Sequence, residues 1–505
     1  MKERYNWCTV SLAKISESLF PPQSFESRRV RALLFASVFL VWAEVGFLIL
    51  SFPSLPPEIP LFYSQPWGES QLAPSTFLFL LPFLSAIFPL LSSLIAEILW
   101  RKRETLLSFS VLIVGVVSET LLFLALARIL RLVLPSFSLN LPAKIYLASS
   151  LAFLFSFVAS PLMIGLAKRL GIVDDPRTHR HPAILHKEPI PRAGALAFFV
   201  GFIAASLLFL PITKHLLGIY SGTLVVVILG VLDDKYDLNP YLRLGFEVLA
   251  AGLVVVSGIG ITFFHNPLGG IVRLDTIDIP IYFIGEHHIL LLADTFALLW
   301  MVWVMNMISW SNGVDGQFSG IVFITCLVLT LLSLRFVSFE PIQGQTATLA
   351  AICGGAALGL LPKTWHPAKI FWGFGAVAPG LVIASLSILT GAKVATAVLV
   401  LLVPIIDAVV AVLRRILRGQ SPVWGDRGHL HHQLLDRGFS QREIAVFYWF
   451  LTGLCGFLAL ITAEKSKALT LLSLGGVVGF FLVLLNLEGV RIKGLKKESE
   501  AKGKK

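Results

Sequence analysis

Residues 231–244 read VLDDKYDLNPYLRL. An apolar run stops on Asp233 and Asp234 and another starts after Pro240, so this short polar interruption marks a bilayer edge carrying Asp233, Asp234 and Asp237. The C-terminal end of a helix already bears negative partial charge, and two further carboxylates there are unfavourable unless a cation lies beside them. A bound metal ion would resolve the conflict. Asn239 and Pro240 fit the N-cap and first position of the next helix, whose free backbone N–H groups can face a phosphate. Taken alone, the stretch also fits a solvated turn between two capped helices.

Working outward, composition sets the class. The chain has 505 residues, 56% of them hydrophobic and only 14% charged, with a mean hydropathy of +0.82. So few charges cannot cover a soluble globule of this size, and the expected fold is an all-α polytopic membrane protein. Apolar segments of about 20 residues, the length that crosses a bilayer of about 30 Å, occur about fourteen times. Three of them fall before residue 140 and about eleven lie between 141 and 490, the last near 467–488. The chain thus divides into an N-terminal extension (1–140) of unassigned function, a main membrane domain (141–490) and a basic tail (491–505).

The net charge of +11 sits mainly in alternate loops and the tail. That is the positive-inside pattern, which makes those loops and both termini cytoplasmic and removes nucleic acid as the reason for the charge. On the other side, the alternating runs 271–274 and 277–283 suggest a small extracytoplasmic hairpin. Glu119, inside the third apolar segment, is either a functional intramembrane acid or a partner of Arg128 or Arg131. No internal repeat supports the inverted symmetry of many transporters, and the polar groups gather on loops rather than at mid-membrane.

Three more cytoplasmic loops carry chemistry. Residues 171–194, GIVDDPRTHRHPAILHKEPIPRAG, form a proline-stiffened loop whose Arg177, Arg180, His186, Lys187 and Arg192 present a cationic face to an anionic ligand. Residues 306–316, NMISWSNGVDG, place Asn306, Asn312 and Asp315 at the end of a helix, where amides and a carboxylate can hold a base edge or a metal's water shell. Residues 424–438, WGDRGHLHHQLLDRG, cluster His429, His431 and His432 after Arg414, Arg415 and Arg418. No cysteine completes a zinc set there, and imidazoles beside arginines suit a diphosphate better. For each loop a generic basic, capping or solvated role is the alternative.

Together the four loops resemble the polyprenyl-phosphate N-acetylhexosamine-1-phosphate transferase family (glycosyltransferase family 4), in the order GIVDDP…HKEPIPRAG, GVLDDKYDLNPYLRL, NMISWSNGVDG, then VPIIDAVVAVLRR with DRGHLHH. The resemblance covers roughly residues 145–490. It implies about 11 family transmembrane helices, to which the N-terminal extension adds about 3, in a bacterial inner membrane with the active site cytoplasmic. The implied reaction joins undecaprenyl or a related polyprenyl phosphate to the β-phosphate of a UDP-N-acetylhexosamine, releasing UMP, with Mg2+ as cofactor and Mn2+ as the alternative ion. Two polyanions must approach in such a step, so cationic groups are needed to offset their repulsion and a carboxylate to orient or deprotonate the nucleophile.

By the same resemblance Asp233 and Asp234 are the catalytic acids, and Asp315 joins them as a metal ligand. His186, Lys187, Asn306, Asn312, Asp315, His429, His431 and His432 bind the nucleotide-sugar and its phosphates. The histidine loop is more similar to the branch using UDP-GlcNAc, and a homodimer is an open assembly. Two positions depart from the pattern. KIFWGFGAVAPG has Phe374 where the family carries the aspartate of Gly-Asp-x-Gly, and Ser309 and Asn312 stand where it has Asn and Asp. These departures keep a second class open, a degenerate relative that binds lipid carrier or nucleotide-sugar without catalysis.

Overall fold

The structure is a computed structural model that describes residues 28–61, 71–102, 104–133, 141–177, 186, 188–265, 270–282, 286–390, 393–421, 428–462, 470–471 and 473–480. Its chain forms two compact units, residues 1–139 and 140–505. In the first, helices α1 (Arg28–Ser51), α2 (Leu80–Arg101) and α3 (Thr105–Val133) are accompanied by a two-stranded antiparallel ladder, β1 (Glu58–Pro60) with β2 (Leu72–Pro74). Leu48, Ile59, Leu78, Leu126 and Leu130 make its buried core. Glu119 is buried, and among the described residues it forms no ion pair with Arg128; the side chain of Arg131 lies outside them.

The second unit is a helical bundle. Helices α4 (Leu141–Leu170), α5 (Gly194–Phe209), α6 (Lys214–Tyr236) and α7 (Pro240–Val256) come first. They are followed by α8 (Leu291–Trp310), α9 (Gln317–Phe336), α10 (Ile342–Thr364), α11 (Val377–Leu389), α12 (Lys393–Val400), α13 (Leu402–Leu417), the short α14 (Leu430–Asp436) and α15 (Gln441–Ile461). Local chemistry sets the boundaries nearest the loops. Asp237 ends α6 in the left-handed region at φ 49°. Asn239 then caps α7, its side-chain oxygen accepting from the Tyr241 N–H at 2.9 Å, with Pro240 at the first helical position. Ser440 and Glu443 form a reciprocal capping box at the start of α15.

Small residues let helices meet at backbone distance. A Cβ on Gly355 would overlap the Ser149 carbonyl, and one on Gly359 would overlap that of Phe153, so α10 lies directly on α4. Without a hydrophobic drive between helices in lipid, such close approach supplies the packing that holds a bundle. Trp372 is the largest fully buried side chain, packed on Phe198 and Phe318 and donating its indole N–H to Ser319 Oγ at 3.0 Å.

The fold is the expected all-α polytopic membrane protein. Among the described residues eight helices are long and apolar enough to cross a membrane, or nine if the pair Val394–Val400 and Leu402–Leu417, bent by 81°, counts as one span. Helix α5 has only 16 residues and α7 only 17, and most of the segment at 467–488 lies outside the described residues. The expected hairpin also differs. The run at 271–274 contributes β6 (Ile271–Arg273), paired with β5 (Phe263–His265), while β7 (Asp278–Tyr282) pairs with β8 (Glu286–Leu290). Two antiparallel ladders therefore replace one, because each run finds its partner outward along the chain. The tail 491–505 lies outside the described residues.

Substituting Gly359→Leu should force α4 and α10 apart, whereas Gly453→Leu, with nothing near its Cβ, should be tolerated. Overpacking of this kind costs about 1–3 kcal/mol. The expected result is a lower thermal midpoint in detergent for the first variant alone.

Candidate active site

Helices α4, α6, α8 and α10 bring their C-terminal ends to one face of the bundle, and α5, α7, α9, α11 and α15 start from it. Between these ends lies a cavity of about 1030 Å³. Its wall takes Lys168 from α4, Asp174 and Arg192 from the 171–194 loop, Asp233 and Asp234 from α6, and Arg243 from α7. Asn312 and Asp315 before α9, the segment from His366 to Phe374, and Gln441 of α15 complete it.

The acid pair is neutralised from within the chain. Arg243 Nε lies 2.6 Å from Asp233 Oδ1, and its Nη2 lies 2.9 Å from Asp237 Oδ1. The Leu238 N–H also donates to Asp233, at 3.0 Å. Asp234 is held differently: both its oxygens accept from the Phe374 N–H at 3.1 Å, and Arg192 Nη1 stands 3.5 Å away. The other arm of Arg192 meets Asp174 Oδ2 at 2.8 Å. Burial works against the charge on Arg192, but Asp234 and Asp174 outweigh it and raise its pKa. Thus the cation that the end of α6 requires is a guanidinium.

Backbone geometry fixes this arrangement. A short antiparallel ladder, β3 (Val173–Asp174) with β4 (Ile190–Pro191), closes the base of the 171–194 loop and aims Arg192 inward. Arg192 bridges to Phe371, whose carbonyl accepts from the Gly194 N–H at 2.8 Å and whose N–H donates to Pro191 at 2.8 Å. Gly373 adopts φ +68°, and a Cβ there would strike the Asp234 carboxylate. Only glycine lets the turn bring the Phe374 N–H onto Asp234. The Arg243 guanidinium lies over the Phe374 ring, 5.0 Å from its centroid.

The remaining expected site residues separate into groups. His186 lines the cavity, its Nε2 3.2 Å from the Asp174 carbonyl and its ring edge-on to Phe371. Asn312 and Asp315 line it too; Asp315 Oδ2 lies 2.7 Å from His366 Nδ1 and accepts from the Ala368 N–H at 3.1 Å. Asn306 does not line it. Its amide donates to the Glu247 carboxylate and to the Val302 carbonyl, about 6 Å back along α8 from its Trp310 end at 1.5 Å rise per residue. Lys187, like His179 and His181, lies outside the described residues.

His429, His431 and His432 also stand off the cavity wall, as one buried cluster. His429 Nδ1 is 2.9 Å from Asp407 Oδ2, and Asp407 Oδ1 accepts from the Leu430 N–H at 2.8 Å, so Asp407 fixes the start of α14. The rings of His429 and His431 stack 5.6 Å apart, and a Cβ on Gly313 would overlap the His431 ring. The imidazoles therefore back the 312–316 loop from behind. Burial, then His432 and His429, push His431 well below its ordinary 6.5.

The residues present do not fit a resident magnesium ion. Mg2+ favours near-octahedral oxygen ligation through one or two carboxylates with water and phosphate oxygens. Here Asp233 and Asp234 face arginines, Asp315 is engaged by His366 and the Ala368 N–H, and position 374 offers a phenyl ring. Among the described residues no group of three or more His, Cys, Asp or Glu side chains is placed to hold a metal. Asp174, His366 and Gln441 were not singled out by sequence reasoning, and Arg243 was read only as loop charge. The signal available for Arg243 was its position one turn into the helix that follows the acid pair.

A helical membrane bundle with phosphate-suited arginines and an acid pair at one face is the frame into which the comparisons fall. Residues 216–391 match glycosyl transferase family 4. Over 341 residues the chain is 29% identical to a probable undecaprenyl-phosphate N-acetylglucosaminyl 1-phosphate transferase of Bacillus subtilis (strain 168), covering 65% of this chain and 86% of that protein. It is 28% identical to the decaprenyl-phosphate N-acetylglucosaminephosphotransferase of Mycolicibacterium smegmatis, covering 66% and 86%. A phospho-N-acetylmuramoyl-pentapeptide-transferase of Moorella thermoacetica is 27% identical, covering 60% and 93%. The chain is thus similar, through residues 216–391, to glycosyl transferase family 4, and over about two thirds of its length to proteins named as polyprenyl-phosphate N-acetylglucosamine-1-phosphate transferases.

The depressed His431 pKa carries a sign. Below about pH 6.5 the unfolded chain binds a proton that the folded cluster resists, so stability is present above that pH and lost as pH falls toward the folded value. The thermal midpoint should drop between about pH 7 and 5, and His431→Asn should flatten that slope.

Proposed function

We propose that the protein transfers an N-acetylhexosamine-1-phosphate from a UDP-sugar to a polyprenyl phosphate at the cytoplasmic face of a bacterial inner membrane, with both termini cytoplasmic. The observation that carries this reading is the convergence of Asp233, Asp234, Arg192, Arg243, His186 and the 312–316 loop on one cavity at the ends of the membrane helices. A lipid phosphate can enter at that depth while a nucleotide arrives from water. The names of the similar proteins from Bacillus subtilis and Mycolicibacterium smegmatis describe N-acetylglucosamine-phosphate transfer to undecaprenyl and decaprenyl phosphate, which favours a GlcNAc-type donor.

In this reaction an oxygen of the lipid phosphate attacks the β-phosphorus of the UDP-sugar. One P–O bond forms, the bond from the β-phosphorus to the bridging oxygen breaks, and UMP leaves with that oxygen. Arg192 and Arg243 offset the repulsion between the two anions, a role suited to the planar guanidinium fork. Asp234, anchored by the Phe374 N–H, orients the nucleophile and takes its proton where the phosphate enters as a monoanion. Asp315 steadies the wall through its contacts to His366 and Gln441. The histidine cluster holds that wall in register.

Binding without turnover is the second reading, and Phe374 favours it by removing a carboxylate from the wall. The two readings separate in one assay on the purified full chain, with UDP-GlcNAc, UDP-GalNAc and polyprenyl phosphate as substrates. Transfer predicts UMP release that Asp234→Asn lowers by at least about 10²-fold. Nucleotide-sugar binding with no UMP from any donor would leave the binding reading.

A further inference from the structure

The cavity wall carries its own substitute for a metal ion. Resting on the proposed phosphate-transfer site, we propose that this protein binds the diphosphate of its nucleotide substrate without a divalent cation, Arg192 and Arg243 supplying the positive charge.

Charge placement is the first ground. Each of the two acids at the end of α6 faces a guanidinium, at 2.6 Å for Asp233 and 3.5 Å for Asp234. A divalent ion seated on those carboxylates would meet two fixed positive charges.

The second ground is what stands at position 374. Its backbone N–H is spent on Asp234, and its ring is the platform for Arg243 at 5.0 Å. Arginine stacks on aromatic rings, and a stacked guanidinium is held in one plane with its edge presented to an anion. A carboxylate at this position would instead draw Arg243 into a further ion pair. The aromatic side chain and the arginine therefore act together, and Phe374 is a positioning residue for Arg243.

The third ground is that both forks keep donors for a ligand. Arg192 spends Nη1 and Nη2 on Asp234 and Asp174, and Arg243 spends Nε and Nη2 on Asp233, Asp237 and the Leu238 carbonyl. Arg192 Nε and Arg243 Nη1 take no part in these contacts, and both side chains retain exposure, 28% and 23%, on the cavity side. Two arginine edges on one wall can meet adjacent phosphoryl groups.

The test uses the full chain in detergent micelles with two probes. Mn2+ is titrated and followed by its electron paramagnetic resonance signal, with expected absence of a saturable protein site. UDP binding is measured by calorimetry in EDTA and in excess Mg2+, with dissociation constants expected to agree within about threefold. Arg192→Gln and Arg243→Gln should each weaken UDP binding in EDTA by about tenfold, as loss of one charge-assisted hydrogen bond implies. A saturable Mn2+ site abolished by Asp234→Asn would overturn the inference, as would UDP binding that vanishes in EDTA or is untouched by both arginine substitutions. UDP binding in EDTA with no UMP released under any condition would sink the transfer reading and leave this one standing. UMP release strictly dependent on Mg2+ would do the reverse.

Discussion

Two carboxylates at the negative end of a membrane helix set the terms for the rest of the active face. Asp233 and Asp234 sit where the dipole of α6 already disfavours them. The chain answers by bringing arginines from both sequence directions. Arg192 arrives from the loop that precedes α5, and Arg243 from the first turns of α7. Remove that compensation and the ends of several helices lose their reason to meet. The acid pair is thus the point at which α6, α7 and the loop before α5 are joined by charge.

Around that centre the supporting shell is built from backbone as much as from side chains. Asp234 is pinned by the Phe374 amide through a glycine turn, and Asp315 by the Ala368 amide. The 312–316 loop rests on a stack of imidazoles locked by Asp407. Rigid supports of this kind hold reactive groups at fixed distances without mobile intermediates.

What the amino-acid order disclosed followed the range of each interaction. The cap at Asn239 and the clustering of acids at the end of α6 are local, so they were legible from a few neighbouring residues. The partners of those acids were not, since Arg192 and Asp234 are 42 positions apart and meet only through the bundle. Asn306 looked like a site residue because it shares a motif with Asn312 and Asp315, but it lies about one helical turn back from the end of α8 and serves Glu247 instead. The histidines suggested a ligand surface by their density, whereas Gly313 allows them to tuck beneath the loop. Hydropathy registers apolar length alone, so the 81° bend between α12 and α13 did not show in it.

The bridge between Arg192 and Phe371 joins the segment before α5 to the one before α11, and the amides of Ala193 and Gly194 reinforce it through the Phe371 carbonyl. Stitched in this way, the lips of the opening behave as a single plate. A shift of residues 191–194 is therefore transmitted to Phe371 through main-chain hydrogen bonds, independently of the side chains that line the cavity.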